Sequence, residues 1–445
     1  MSGAFSFKSS RLPYSPRLPS AFPNLRIFVP HKVRRKWRAT KGRLRVGQSP
    51  ASNVFALQTS FSPSDTIQAL RRHQWSLYDF QYFGLAVLGI FCLSIMQSPG
   101  PMIKTVIATA LMVSLILPIT RQFFLPFLPI AAWLILWYSC KFIDGAYRPP
   151  IWVRVLPALE NIFYGANLSN ILSKHKATVL DLLAWFPYGI THFGAPAVCS
   201  LIMFIWGPPK TVPVFARAFG YMNLAGVVIQ IIFPCSPPWY ENMYGLAPAN
   251  YKMPGSPAGL AAIDKLFGFD MYTSGFTASP VVFGAFPSLH SANATLEALF
   301  MSHVFPRLTP LFVIYTLWLW WATMYLSHHY AVDLVGGSLL AGIAFFIAKT
   351  RWLPRLQPDK EFRWDYDYIE IGESQDAYAS GQTYTGLYEE FHPAHSDSEE
   401  WTLASGSGSS YSSRSRSPSN TNRSSSEVSW EGDTLASNSD HERSR

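Results

Sequence analysis

Two short histidine motifs carry the residues best suited to chemistry in this chain. FPSLHS places His290 where an apolar run begins, and SHHYAVD places His329 four residues before Asp333. On a helix, an i,i+4 pair shares one face. A carboxylate there accepts the imidazole Nδ1–H, fixes the tautomer and leaves Nε2 free to act as a nucleophile or base. His290, opening a second helix, can serve as a general acid or base. Two histidines and one carboxylate suit phosphoryl transfer, one ring attacking phosphorus while the other protonates the departing oxygen. Helix N-termini favour phosphate through free N–H groups and the dipole, although the same dipole opposes a protonated histidine. A lone His–Asp pair at a helix end is more often structural; the second motif tips the balance toward chemistry.

The elements that must position these groups are membrane helices. Of 445 residues, 49% are hydrophobic, 15% aromatic and only 14% charged, against roughly a quarter charged in soluble domains. Eight apolar runs stand out, at 80–97, 102–120, 122–140, 181–206, 213–234, 289–304, 308–326 and 331–349. Most approach the ~20 residues that span a bilayer; the 289–304 run is short and is expected to lean on protein. The fold class is therefore all-α, a polytopic membrane helical bundle with disordered termini. An even number of crossings puts both termini on one side. The basic segments HKVRRKWRATKGRLR (31–45) and KTRWLPRLQPDK assign that side to the cytosol. His290, His329 and Asp333 then fall on the lumenal face.

Three parts follow. Residues 1–75 form a basic, Ser- and Pro-rich segment read as disordered and cytosolic. Its charge, much of the net +9, is read as a topology and anionic-lipid signal rather than a nucleic-acid site. Residues 76–350 form the transmembrane catalytic domain, with a Pro-, Gly- and aromatic-rich lumenal cap at 235–288 too long for a plain linker. Residues 351–445 form an acidic, then Ser-rich disordered tail and phosphorylation substrate. The loop 141–180 breaks the charge trend with Lys141, Arg148, Arg154, Lys174 and Lys176, a cationic rim for anionic headgroups. Within it, LPALENIFYGANLSNIL (156–172) reads as an interfacial amphipathic helix that would hide the Asn167 sequon. Cys140 and Cys235 fall at helix ends on one face, which leaves a disulfide between them open.

FPSLH and HHYAVDLVGG resemble the second and third motifs of the phosphatidic acid phosphatase type 2 superfamily, PSGH and SRxxxxxHxxxD. CSPPWYENMYG, PAGLAAID, SPVVFGAFPSLHS and LPALENIFYGANLSN are similar to the fungal inositol phosphorylceramide synthase catalytic subunit over about 80–350. The resemblance implies a phosphatidic acid phosphatase type 2-like core. It also implies transfer of inositol phosphate from phosphatidylinositol to the primary hydroxyl of ceramide, releasing diacylglycerol, in Golgi membranes with a lumenal site. His329 would form a phosphohistidine, Asp333 would orient it, and His290 would shuttle the proton. No metal or other cofactor is implied, and a small membrane regulatory subunit is. The chain departs from the superfamily pattern at Ala322 and Thr323, where Ser-Arg is usual, and at Leu289, where glycine is usual.

Lys141 and Arg148, matching KxxxxxxRP out of position, are candidate phosphate ligands. Ser288 and His192 are candidate substrate contacts, the latter lining a lipid groove. Asp264 and Glu241 in the cap could meet inositol hydroxyls. His328 reads as structural, and Gly336-Gly337 as a close helix contact. The competing readings are a lipid phosphate phosphatase using water as acceptor and a non-enzymatic lipid transporter.

Overall fold

All eight apolar runs are helical in the computed structural model, which describes residues 42–46, 54–357 and 359–374. In chain order the elements are β1 (Gly42–Val46), α1 (Pro63–Arg72), α2 (Phe80–Ile95), α3 (Pro101–Ile116), α4 (Pro118–Ser139), α5 (Val155–Tyr164), α6 (Leu168–Ser173) and α7 (Thr178–Trp185). A π-helical turn, Phe186–Thr191, joins α7 to α8 (His192–Trp206). There follow α9 (Thr211–Ile232), α10 (Pro238–Tyr244), α11 (Ala261–Phe267), α12 (Tyr272–Thr277), α13 (Leu289–Val304), α14 (Thr309–Tyr325), α15 (Ala331–Arg351) and β2 (Ile369–Ser374). Among the described residues, five segments are long and apolar enough to cross a membrane: Leu77–Ile95, Pro118–Phe142, Thr178–Trp206, Thr211–Ile232 and Ala331–Arg351. The chain is a multi-span membrane protein built as a helical bundle.

Helix α13 is the buried centre of that bundle. Ser291, Asn293, Leu296, Glu297 and Phe300 are all enclosed, which explains why a 16-residue run with polar positions survives there. Its core face packs with Phe215, Phe219 and Met222 of α9 and with Ala341 and Ala348 of α15. The α13–α15 contact is set by small residues. A Cβ added at Gly337 would sit on the Ser288 carbonyl oxygen and 3.1 Å from the Ala292 nitrogen. The Ser291 hydroxyl donates to the Leu334 carbonyl at 2.6 Å and meets Ser338 Oγ at 2.9 Å, and Ser338 also meets Thr295 Oγ1 at 2.7 Å. Such small-residue seams hold membrane helices that gain nothing from the hydrophobic effect against lipid. Gly337→Ala is expected to cost about 1–3 kcal/mol through overpacking, seen as a lower melting temperature in detergent. An unchanged melting temperature would show that the two helices can part freely.

Both flanks, read as largely disordered, hold some regular structure. Gly42–Val46 pairs antiparallel with Ile369–Ser374, and Pro63–Arg72 is a helix. Partners more than three hundred residues apart leave no local periodicity to read. The basic run 31–41 and the Ser-rich tail lie outside the described residues.

The expected amphipathic helix at 156–172 is two helices, broken at Gly165, whose φ of 72° ends α5 in the left-handed conformation that glycine adopts at little cost. Ile162 and Phe163 are exposed while Leu156 and Glu160 are enclosed. Apolar side chains at the C-terminal end of α5 therefore point outward, as on a membrane-surface helix, while Glu160 points inward beside Leu156. The cap is folded against this layer. Trp152, Cys235 and Gly284 form successive backbone bridges, and the Trp239 and Gly259 amides donate to the Ser327 and Leu326 carbonyls at 2.9 and 3.2 Å.

Candidate active site

The SHHYAVD motif begins with a sharp reversal. Ser327 has φ 62°, a conformation costly for a residue with a Cβ. It is held by the Trp239 amide on its carbonyl and by the His328 amide on the Thr323 carbonyl at 3.0 Å. That turn swings His329 over the start of α15, so that its Nδ1 lies 3.0 Å from Asp333 Oδ2. The Ser288 amide donates to the Asp333 carbonyl at 3.0 Å, stapling FPSLHS to the same helix end. The result brings His290 Nδ1 to 3.1 Å from His329 Nε2.

The network assigns the protons. A carboxylate only accepts, so His329 donates from Nδ1 and presents the lone pair of Nε2. His290 then donates its Nδ1–H to that lone pair. Burial pushes the His329 imidazole well below the ordinary histidine range, which keeps it neutral and nucleophilic at neutral pH. Such an arrangement can supply a nucleophile oriented by an acid, with a proton donor beside it. At rest the donor covers the nucleophile, so a phosphoryl group must enter between the two rings.

Tyr188, which carried no sequence signal, and His192, expected to line a lipid groove, complete the site. Tyr188 stacks on His290 with ring centroids 4.5 Å apart and planes 17° apart, and on His328 at 5.3 Å. His192 lies 4.5 Å from the same His290 ring. Both come from one segment because the His192 amide bonds back five residues to the Pro187 carbonyl; such π-turns often mark functional sites. A cavity of about 220 Å³ opens on His290, His328 and His329, with Tyr188, Gln230 and Trp239 among its walls and, among the described residues, no Lys, Arg, Asp or Glu. A second, apolar groove of about 680 Å³ runs between α4, α8 and α9. Trp137 and Leu289 border both spaces, and His192 lines the groove.

The other expected ligands are placed elsewhere. Arg148 donates from Nε to the Ile143 carbonyl at 3.1 Å and from Nη2 to the Cys140 carbonyl, and lies over Tyr251. Lys141 sits 3.8 Å above the Tyr138 ring. Lys176 donates to the Tyr325 carbonyl at 2.8 Å. Three cations of the expected rim thus serve the protein, because carbonyls at helix ends and aromatic faces lie within their reach. Ser288 is fully buried and accepts from the Ser291 amide at 3.3 Å; it is the N-cap of α13 and does not line the cavity. Asp264 accepts from the Tyr272 and Thr273 amides at 3.1 and 2.7 Å and from the Thr273 hydroxyl at 2.8 Å. Burial opposes its charge, but these bonds outweigh burial and hold the carboxyl below its usual value. Asp264 caps α12. Glu241 accepts from Asn167 Nδ2 at 2.9 Å and from the Tyr330 hydroxyl at 2.8 Å, which ties the sequon asparagine to the loop that carries His329. His328 is anchored by Nε2 to the Pro257 carbonyl at 3.1 Å. Cys140 and Cys235 are free and buried; they belong to separate packing clusters, so the open disulfide does not form. Nor does α15 offer its amides to phosphate, since those of Ala331 and Val332 are taken by Glu160 at 3.2 and 3.1 Å.

Residues 151–347, which include both histidine motifs, match the PAP2 superfamily. The inositol phosphorylceramide synthase catalytic subunit of Schizosaccharomyces pombe is 57% identical over 318 residues, 72% of this chain and 75% of that protein. The Saccharomyces cerevisiae catalytic subunit is 47% identical over 325 residues, 72% of this chain and 80% of its own length. A bacterial phosphoinositol dihydroceramide synthase from Bacteroides thetaiotaomicron is 29% identical over 51% of this chain and 77% of its own length. The chain belongs to the fungal inositol phosphorylceramide synthase catalytic subunit family, phosphotransferases of sphingolipid biosynthesis.

Proposed function

We propose that this chain transfers inositol phosphate from phosphatidylinositol to the primary hydroxyl of ceramide through a phosphohistidine at His329. The observation that carries the reading is the unbroken chain Asp333–His329–His290, with contacts of 3.0 and 3.1 Å. With the anionic phosphodiester bound, His290 enters the step as imidazolium; His329 Nε2 attacks phosphorus, the bond to the diacylglycerol oxygen breaks, and His290 gives that oxygen a proton and becomes neutral. Ceramide's hydroxyl then gives its proton back to His290 and attacks the phosphorus, and His329 leaves. Splitting one exchange into two in-line steps is the benefit of covalent catalysis.

The surroundings support lipids on both sides of the reaction. The small cavity offers Gln230, Ser256 and Ser279 for a polyol and Trp239 as an apolar wall. The groove, bordered by Phe123, Phe127 and Phe193, has the size and lining of a lipid-chain site. Its contact with the cavity at Leu289 would bring an acceptor hydroxyl alongside His290. The α13 N-terminus is left to hold phosphate oxygens: among the described residues the Leu289 and His290 amides have no acceptor. The reading further places a catalytic core at 76–350 with eight crossings, both termini in the cytosol, the site on the lumenal face of Golgi membranes, and a small membrane regulatory subunit alongside.

Membranes carrying the protein, given labelled ceramide with and without phosphatidylinositol, test the reaction. Product should form only when phosphatidylinositol is present. Phosphate release from a lipid monoester with water as acceptor, and no ceramide product, would replace the proposal with a phosphatase. His290→Ala is expected to lower kcat by about 10²–10⁴-fold, the usual range for acid–base groups, while an activated donor with a better leaving group recovers much of the first step. Full turnover of phosphatidylinositol by that variant would remove His290 from the mechanism.

A further inference from the structure

Glu160 is a buried acid that the reaction as drawn does not use. Its side chain is fully enclosed, and it comes from α5, a helix outside the membrane-spanning segments. The α5 face that carries it, with Leu156 and Pro157, packs inward. One carboxylate oxygen accepts from the Ala331 amide at 3.2 Å and the other from the Val332 amide at 3.1 Å. These are the first two residues of α15, and Asp333 is the third. The described residues show no salt bridge to Glu160, so the charge of the carboxylate is balanced by amides and by the helix dipole, equivalent to roughly half a positive charge at that end.

We propose that Glu160 is a positioning residue for phosphoryl transfer, closing the N-terminus of α15 so that Asp333 and His329 meet in register and the helix end does not oppose positive charge on His329. The proposal rests on the reading of His329 as nucleophile. When Nε2 bonds to phosphorus while Nδ1 keeps its proton, the ring becomes cationic. An uncapped helix N-terminus beside it would raise the energy of that state and leave the uncharged state untouched. The same carboxylate denies phosphate the two α15 amides and directs it to the α13 end. The expected effect therefore lies in the chemical step rather than in substrate binding.

The test uses the full chain in detergent with Glu160→Gln and Glu160→Asp. Gln keeps one acceptor, sets an NH₂ against the second amide and removes the charge; Asp keeps the charge one methylene short. Glu160→Gln is expected to lose roughly 10–100-fold in kcat, the range for groups standing behind a first ligand, with KM for the donor lipid within about twofold. Glu160→Asp should recover part of the loss. Amide exchange across 328–335 should quicken at least tenfold in Glu160→Gln, a readout that needs no turnover and survives if the proposed substrates are wrong. Wild-type kcat in Glu160→Gln, or unchanged exchange there, overturns the proposal. If Glu160→Gln does not fold, Glu160→Asp decides alone: lower kcat at constant KM supports the role, and wild-type kcat ends it.

Discussion

His329→Ala is expected to abolish ceramide-dependent turnover, with a loss on the order of 10⁵-fold or more, and to leave binding of the donor lipid intact. The size follows from what is removed. In the proposed reaction the Nε2 lone pair is the atom that bonds to phosphorus, and no other described nucleophile lies within reach of the His290 proton. His328 is adjacent in sequence, but its Nε2 is spent on the Pro257 carbonyl and its ring is held by Tyr188 and Phe276. His192 touches His290 by its ring rather than by a hydrogen bond. Removing a nucleophile from a site whose parts act as a unit costs nearly everything the unit supplies, leaving what binding and electrostatics contribute. The variant should also fail to trap label from a phosphatidylinositol labelled in phosphate and inositol, whereas wild-type protein quenched without acceptor should carry acid-labile label. Alanine should fold, because the motif is held by backbone bonds at Ser327, His328 and Leu334 that the substitution leaves in place. Turnover in His329→Ala within tenfold of wild type, or acid-labile label retained on that variant, would exclude the covalent mechanism.

How much of this was legible beforehand differs by residue, and the differences have physical causes. His290, His329 and Asp333 could be placed because each lies at the start of an apolar run, where helix geometry converts spacing into direction. The small contact at Gly337 was legible for the same reason. Tyr188 was not. It sits inside an apolar run where any aromatic reads as lipid-facing, and only the π-turn, marked in sequence by nothing more than Pro187, rotates it onto His290. Glu160 was hidden by a rule that held in the wrong direction: an acid on an amphipathic surface helix normally faces water, and here it packs inward with Leu156 and Pro157 while Ile162 and Phe163 take the outside. Lys141 and Arg148 were singled out by charge and spacing, but spacing along a loop does not fix distance in space, and helix-end carbonyls nearby claim the guanidinium. The Gly42–Val46 strand required a partner at Ile369–Ser374 that no local pattern announces.

The second large effect is expected at Asp333. Replacing it by asparagine changes little in volume, so the helix and its neighbours should stay in place, yet kcat should fall by about 10⁴-fold. Asp333 is fully buried, with Oδ2 on His329 and Oδ1 without a hydrogen-bond partner. An asparagine can meet His329 in two ways. If its carbonyl faces Nδ1, the NH₂ group takes the Oδ1 position, where nothing accepts, at a cost of about 1–3 kcal/mol for a buried unpaired donor. If its NH₂ faces Nδ1, His329 must accept there and carry its proton on Nε2, so the attacking atom has no lone pair to give. The first orientation loses stability and the charge that balances the cationic ring; the second loses the nucleophile. Other sites that rely on the same acid–histidine arrangement lose about 10⁴-fold in rate on this substitution through the wrong tautomer. The loss should appear in kcat with KM nearly constant, and nitrogen-15 spectra of labelled histidine should show the His329 proton moved from Nδ1 to Nε2. A variant that keeps kcat within tenfold while its His329 tautomer is unchanged would mean that Asp333 only packs, and that the orientation of the nucleophile comes from the loop backbone instead.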